Sequence, residues 1–485
     1  MLRSCRPSFA WILTVLMSAP SCSASDSATS PGYVPSSEAG ADVASPDALE
    51  DASPDGLEPA DGNPDTLADA TPDAAAPEAP ALYPSDRTQS PITPWVAARL
   101  SEILARNPSS RRDLFMKVGD SITASTSFLD CFAAGNVNLD THTDLQPTID
   151  LYAHASIDGT TPFDRTSLAV EVGRTAWWAM SGQPSPLQQE VSATDASVAV
   201  VMYGTNDIGW YGSDYVSTLK WYDDNMFGLV DTLIDGGIIP ILSTIPPRND
   251  DPSVDAWVPT FNAAIRGMAQ ARQIPLVDLH RELMPLSSHG LGGDGVHPNA
   301  YSGGACVLDA DGLAKGYNVR NLITLEALDR VRRAALDGDG AIDASAPTLQ
   351  GDGTKASPFV IQGNPFTDVR STAQAASDVL NTYTGCSSSA DESGPEVLYR
   401  LDVTSPIRVR AVVLDRGDVD IDVHLLDSSA SEAGCLARGD TMVESDLAPG
   451  TYYFSLDTYV SNGVEHAGEY LFLVLTCAAG DPSCG

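Results

Sequence analysis

The chain has 485 residues, enough for two or three domains and at least one large core. Its 65 acidic residues against 27 basic ones leave a formal net charge of -38. A surface this acidic repels nucleic acid and anionic lipid headgroups, which excludes a polyanionic partner, and it carries no information about fold.

Arg3 and Arg6 precede the apolar stretch Phe9 to Met17, which is too short to span a bilayer as a mature helix and fits a secretory signal over residues 1–22. The run Ala19-Pro20-Ser21-Cys22 resembles a bacterial lipoprotein processing site, in which Cys22 becomes the lipidated first residue; ordinary cleavage near Ala24 is the other reading. No later segment is long and apolar enough to span a membrane, so any membrane association is expected through that anchor alone. Residues 23–83 are dominated by Ala, Pro, Asp, Ser and Glu, with an X-Pro-Asp unit recurring at Pro46, Pro54, Pro64 and Pro72. Such a segment buries too little apolar surface to offset chain entropy, and it reads as an extended, charge-stiffened tether.

Residues 84–336 alternate helix and strand. Pro94 to Arg106 reads as an amphipathic helix. Strands are expected at Leu114–Val118, Ser167–Val172, Val198–Tyr203, Ile238–Thr244 and Ile274–Leu279. Helices are expected at Val216–Ile234, ended by Gly236-Gly237, at Phe261–Arg272 and near Leu325–Leu336. Continuous apolar strands separated by helices argue for a largely parallel sheet covered on both faces, an α/β domain.

Residues 337–350, opening on Asp337-Gly338-Asp339-Gly340, read as an acidic linker. Over residues 351–485 the style changes to short strands: Val397–Val403, Ile407–Leu414, Val419–Leu426, Thr451–Leu456 and Tyr470–Thr476. The alternation from Val419 to Leu425 predicts one apolar and one polar face, and the whole reads as a separate all-β sandwich. Export turns the later cysteines into candidate disulfides. Pairing in chain order joins Cys131 with Cys306, Cys386 with Cys435 and Cys477 with Cys484, one of the 15 connectivities that six cysteines permit. No Cys-x-x-Cys or Cys/His cluster suggests a metal.

Ester hydrolysis needs a nucleophile, a proton shuttle and donors for the tetrahedral oxyanion. Gly119-Asp120-Ser121 follows the strand Leu114–Val118 on what reads as a sharp turn, lifting Ser121 out of the sheet as candidate nucleophile; the same serine also suits a helix N-cap. In Asp294-Gly295-Val296-His297, a helical turn would put the carboxylate and the imidazole on one face, making His297 the candidate base and Asp294 its orienter. His289 is the reserve base. Asn206, in Gly204-Thr205-Asn206-Asp207 beyond the strand Val198–Tyr203, is a candidate oxyanion donor, and Gly173 a further one.

In this order, these residues resemble the SGNH hydrolase superfamily, also called GDSL esterases and lipases. The resemblance spans about Pro84 to Leu336 and implies a three-layer α/β/α fold without metal or organic cofactor. By analogy Ser121 attacks, His297 relays the proton, Asp294 orients it, and Gly173 and Asn206 complete the oxyanion hole. The block around Gly173 departs from the family pattern, as does the insert from Thr123 to Thr166. The C-terminal region, through Ser357-Pro358-Phe359, Tyr399-Arg400-Leu401-Asp402, Val419-Asp420-Ile421-Asp422-Val423 and Pro449-Gly450-Thr451-Tyr452-Tyr453, resembles bacterial pre-peptidase C-terminal modules, which implies an accessory role. The expectation is an exported or envelope-tethered serine esterase acting on small acyl esters or on acyl groups of a glycan. The rival is a surface adhesion protein using the hydrolase-like domain as a non-catalytic scaffold.

Overall fold

The computed structural model describes residues 79–478 and Asp481. The signal segment, Cys22, the tether up to residue 78 and Cys484 lie outside them. Four parallel strands form the central sheet in the order β1 (Arg111–Gly119), β2 (Ala196–Met202), β3 (Ile239–Ser243) and β4 (Leu276–Val277). β2 and β3 are buried along their whole length, as strands covered on both faces must be. The expected strand Ser167–Val172 is not formed. Only Val170 bridges to Gly119, while Leu168 and Val172 stand 48% and 70% exposed. Its apolar residues therefore mark a loop crossing the sheet edge.

Helices pack on the sheet with local start and stop signals in place. In α1 (Pro94–Ala105), Thr93 caps the first turn by accepting from the Val96 N–H, with Pro94 at the first position. The Asp214 side chain accepts from the Ser217 N–H at the start of α2 (Tyr215–Asp235), and Gly236-Gly237 ends that helix. α3 (Val258–Arg272) begins three residues before its expected start, and α4 (Gly316–Val331) begins nine before. The insert is fastened by the Cys131–Cys306 disulfide and by Lys117, whose ammonium donates to Asp130 at 3.1 Å and to the Phe163 carbonyl at 2.9 Å. The segment read as a linker is held too: Asp343 accepts from the Ile92 N–H at 2.7 Å and from Arg330 at 2.6 Å.

The C-terminal strands form two sheets around their own core, antiparallel throughout except where the short strand Phe359–Val360 pairs parallel with Glu396–Val403. One sheet contains β6 (Phe366–Ser371), β8 (Ile407–Asp415), β11 (Met442–Leu447) and β13 (Glu469–Cys477). The other contains β5 (Phe359–Val360), β7 (Glu396–Val403), β9 (Ile421–Leu426), β10 (Cys435–Gly439) and β12 (Gly450–Thr458). Disulfide Cys386–Cys435 is present, and Cys477 is disulfide-bonded as well. The alternation in β9 does not separate a dry face from a wet one. Asp422 and His424 are buried, with Arg438 on Asp422 and the His424 ring stacked 3.5 Å from that of Tyr383. Burial and the Arg438 charge push the His424 imidazole down to about 3.

β13 shows why the sandwich is more than an appendage. Tyr470, Phe472 and Val474 point into the sandwich core, while Leu471, Leu473 and Leu475 join the hydrolase core. Polar contacts seal the seam. Arg410 of β8 donates to Thr260 of α3 at 2.9 Å and to Glu444 at 2.7 Å, with its guanidinium 3.9 Å from the Trp257 ring centre. Arg272 bridges Asp231 and Glu469. Because leucines of the sandwich complete the hydrolase core, the two parts should unfold together. Differential scanning calorimetry of the full chain should give one transition whose van't Hoff and calorimetric enthalpies agree; two resolved transitions would contradict this.

Candidate active site

Strand β1 ends at Gly119, where a side chain cannot fit: a Cβ there would lie 2.7 Å from the Met202 carbonyl oxygen and 2.4 Å from Thr123 Oγ1. The chain then turns into the short helix Ser121–Ala124. The cap of that helix is Asp120, whose Oδ1 accepts from the Ile122 N–H at 3.0 Å. Ser121 is therefore the first helical residue and not the cap, and its hydroxyl is free to meet another group. That group is His297, with Ser121 Oγ 2.8 Å from His297 Nε2. On the far side of the ring, Nδ1 lies 2.7 Å from Asp294 Oδ2.

The Asp294–His297 segment is not a helical turn, contrary to the spacing argument. Asp294 Oδ1 instead accepts from the Val296 and His297 N–H groups, both at 3.1 Å, an Asx-type turn around Gly295 that leaves Oδ2 for the imidazole. The Val296 amide, together with His297, holds the Asp294 carboxyl down at about 2. His289 is placed elsewhere, with Nδ1 2.8 Å from Asn249 Oδ1.

Asn206 follows β2. Its Nδ2 donates to the Arg174 carbonyl at 3.0 Å and, more loosely, to Asp120 Oδ2 at 3.3 Å. The first contact brings the Gly173-Arg174 loop to Asn206, and the second ties Asn206 to the serine turn. Gly173 has φ +76, the left-handed region that favours glycine. Ser121, His297, Asp294 and Asn206 are thus linked at one rim of the sheet, with Gly173 adjoining them through Arg174.

Three further residues hold this arrangement, and sequence reasoning gave them no role. Asp120 is fully buried, and burial pushes its carboxyl up to about 6. Asp207 is also fully buried and accepts from the Gly204 N–H at 3.0 Å and the Ala176 N–H at 2.9 Å, joining the Asn206 turn to the segment after Gly173; burial raises it to about 7. Arg320 of α4 donates to the Ile122 carbonyl at 2.7 Å and to Thr123 Oγ1 at 2.9 Å, with its guanidinium 3.6 Å from the Phe128 ring centre. The two aspartates were visible in Gly-Asp-Ser and Gly-Thr-Asn-Asp, but only burial shows that they act on backbone amides. Among the described residues, no group of three His, Cys, Asp or Glu could hold a metal ion, and no helix is long and apolar enough to cross a membrane.

Residues 118–301 match the GDSL-like lipase/acylhydrolase family. They form a GDSL-like lipase/acylhydrolase domain, and the chain is an ester-bond hydrolase. Among solved structures, the chain is similar to a GDSL-like lipase from Bacteroides thetaiotaomicron, at 16% identity and TM-score 0.30, over 48% of this chain and 98% of that one. It is similar to an acetylxylan esterase from Geobacillus stearothermophilus at 16% identity and TM-score 0.30, over 44% and 93%. A pre-peptidase C-terminal domain of a collagenase from Bacillus anthracis aligns at 17% identity and TM-score 0.17, over 24% and 95%. No curated protein matches.

Two outcomes follow from the buried carboxyls. Asp120, Asp207 and Asp223, the last raised by burial to about 8, keep protons in the folded chain that the unfolded chain releases near its ordinary value of 3.8. Their contribution to stability is therefore present below that value and is lost as pH rises through about 6 to 8. The thermal midpoint should be higher near about pH 5 than near about pH 8; the reverse order would contradict these assignments. Asp207→Asn replaces one acceptor with a donor facing a buried amide. It should cost about 1–3 kcal/mol in urea unfolding, and a neutral effect would show that the Asp207 bonds are dispensable.

Proposed function

We propose that the chain is an exported, envelope-tethered serine esterase working through Ser121, His297 and Asp294. The observation that carries this is the relay Asp294 Oδ2–His297 Nδ1 at 2.7 Å and His297 Nε2–Ser121 Oγ at 2.8 Å. Ser121 Oγ attacks the ester carbonyl carbon as its proton passes to His297 Nε2. The oxyanion is held by the backbone N–H groups of Ser121 and Gly173 and by Asn206, whose long contact to Asp120 is the one exchanged for substrate. Collapse of the tetrahedral intermediate breaks the ester C–O bond, and the leaving alkoxide takes the proton from His297. Water then attacks the acyl-serine, gives its proton to His297, and the second collapse releases the acid and restores Ser121 Oγ–H. Asp294 fixes the tautomer and balances the imidazolium charge throughout.

Export is supported by the basic-then-apolar N-terminus and by disulfides Cys131–Cys306 and Cys386–Cys435, which suit an oxidising compartment. Cys22 is the anchor in this reading. The substrate is a small acyl ester or an acyl group on a glycan. With short-chain nitrophenyl esters, Ser121→Ala and His297→Ala should each lower kcat by at least about 10⁴-fold with unchanged melting, and Asn206→Ala should lower it by about 10²-fold. Undiminished turnover in the Ser121 or His297 variant would remove the mechanism.

A further inference from the structure

An aromatic ridge begins where the oxyanion loops end. Trp177 lies just beyond Arg174, whose carbonyl accepts from Asn206, and Trp210 follows the 3-10 turn Asp207–Gly209. Their ring centres are 6.3 Å apart, and both side chains are about half exposed. Trp210 stacks on Trp221 of α2 at 4.8 Å with planes 2° apart. Tyr211, 50% exposed, meets Trp221 edge-on at 6.1 Å. Large rings kept in water cost hydrophobic free energy and mark recognition surfaces.

The last two rings are walls of an open depression of about 530 Å³, also lined by Asp214, Ser217, Lys220 and Asp224. It has an apolar corner surrounded by carboxylates, which can only accept hydrogen bonds when ionised. Lys220 is committed elsewhere: its ammonium donates to the Asp415 carbonyl of β8 at 2.6 Å and pairs with the Asp415 carboxylate. The sandwich thereby fixes one side of the depression.

Resting on the esterase reading, we infer that the Trp210–Tyr211–Trp221 corner binds the sugar chain of an acylated neutral polysaccharide, holding it along the rim that ends at Ser121. A pyranose ring offers an apolar C–H face to the aromatic rings and hydroxyl donors to Asp214 and Asp224. An acyl tail would strip water from those carboxylates and return nothing, and an anionic polymer would face a chain of net charge -38. The catalytic groups are open enough for a polymer, with the His297 and Asp294 side chains 41% and 54% exposed.

The test is isothermal titration of the full chain with cellohexaose and with xylohexaose, which carry no ester and so are read without turnover. At least one should bind. Trp210→Ala and Tyr211→Ala should each weaken binding about tenfold or more, while Tyr211→Phe, which keeps the ring, should retain it. No binding of either hexaose, or binding that neither alanine variant changes, overturns the proposal. Nitrophenyl acetate turnover by the same preparation reports separately on the esterase reading.

Discussion

A buried carboxylate without an ion-pair partner among the described residues connects the two loops on which the chemistry depends. Asp120 accepts from the Ile122 amide and from the Asn206 carboxamide, so one side chain sets both the serine turn and the Asn206 loop. Burial would ordinarily drive such a group out of the interior or demand a counter-ion. Here it is satisfied by dipoles, with Arg320 nearby lowering its proton affinity. Asp207 repeats the device one loop along, closing the Asn206 turn onto Ala176. The rim is thus held by buried acids speaking to backbone amides, and the surface-exposed Asp294–His297 pair works against that fixed frame.

The sandwich enters the same frame. Its β13 is apolar on both faces because one face serves each core. Its β8 delivers Asp415 to Lys220, one residue from Trp221, and so reaches the aromatic surface beside the site. Arg416 of the same segment and Arg272 of α3 lie 3.8 Å and 4.8 Å from the Phe227 ring centre, with Glu469 accepting from both. A sandwich joined this way shapes the neighbouring domain's surface as well as covering it.

Much of this was legible in the chain. Gly119-Asp120-Ser121 after an apolar strand and the Asp-x-x-His spacing marked the side chains that the structure brings into contact, because both depend on local turns. The run from Tyr470 to Leu475 could also have been read further, since an uninterrupted apolar strand implies cover on both faces. What escaped was tertiary. Asp422 and His424 looked solvent-facing by alternation, yet Tyr383 and Arg438 cover them. Ser167–Val172 looked like a strand by composition, yet only Val170 pairs. The Asp294 turn was right in outcome and wrong in geometry, because an Asx turn and a helical turn bring the same two side chains together.

The most direct measurement is a crystal structure of the chain after reaction with a nitrophenyl phosphonate ester. The account predicts a covalent bond from Ser121 Oγ to phosphorus, with the phosphonyl oxygen within hydrogen-bond distance of the Ser121 and Gly173 amides and of Asn206 Nδ2. An unlabelled Ser121 in folded protein, or a phosphonyl oxygen turned away from all three donors, would contradict it.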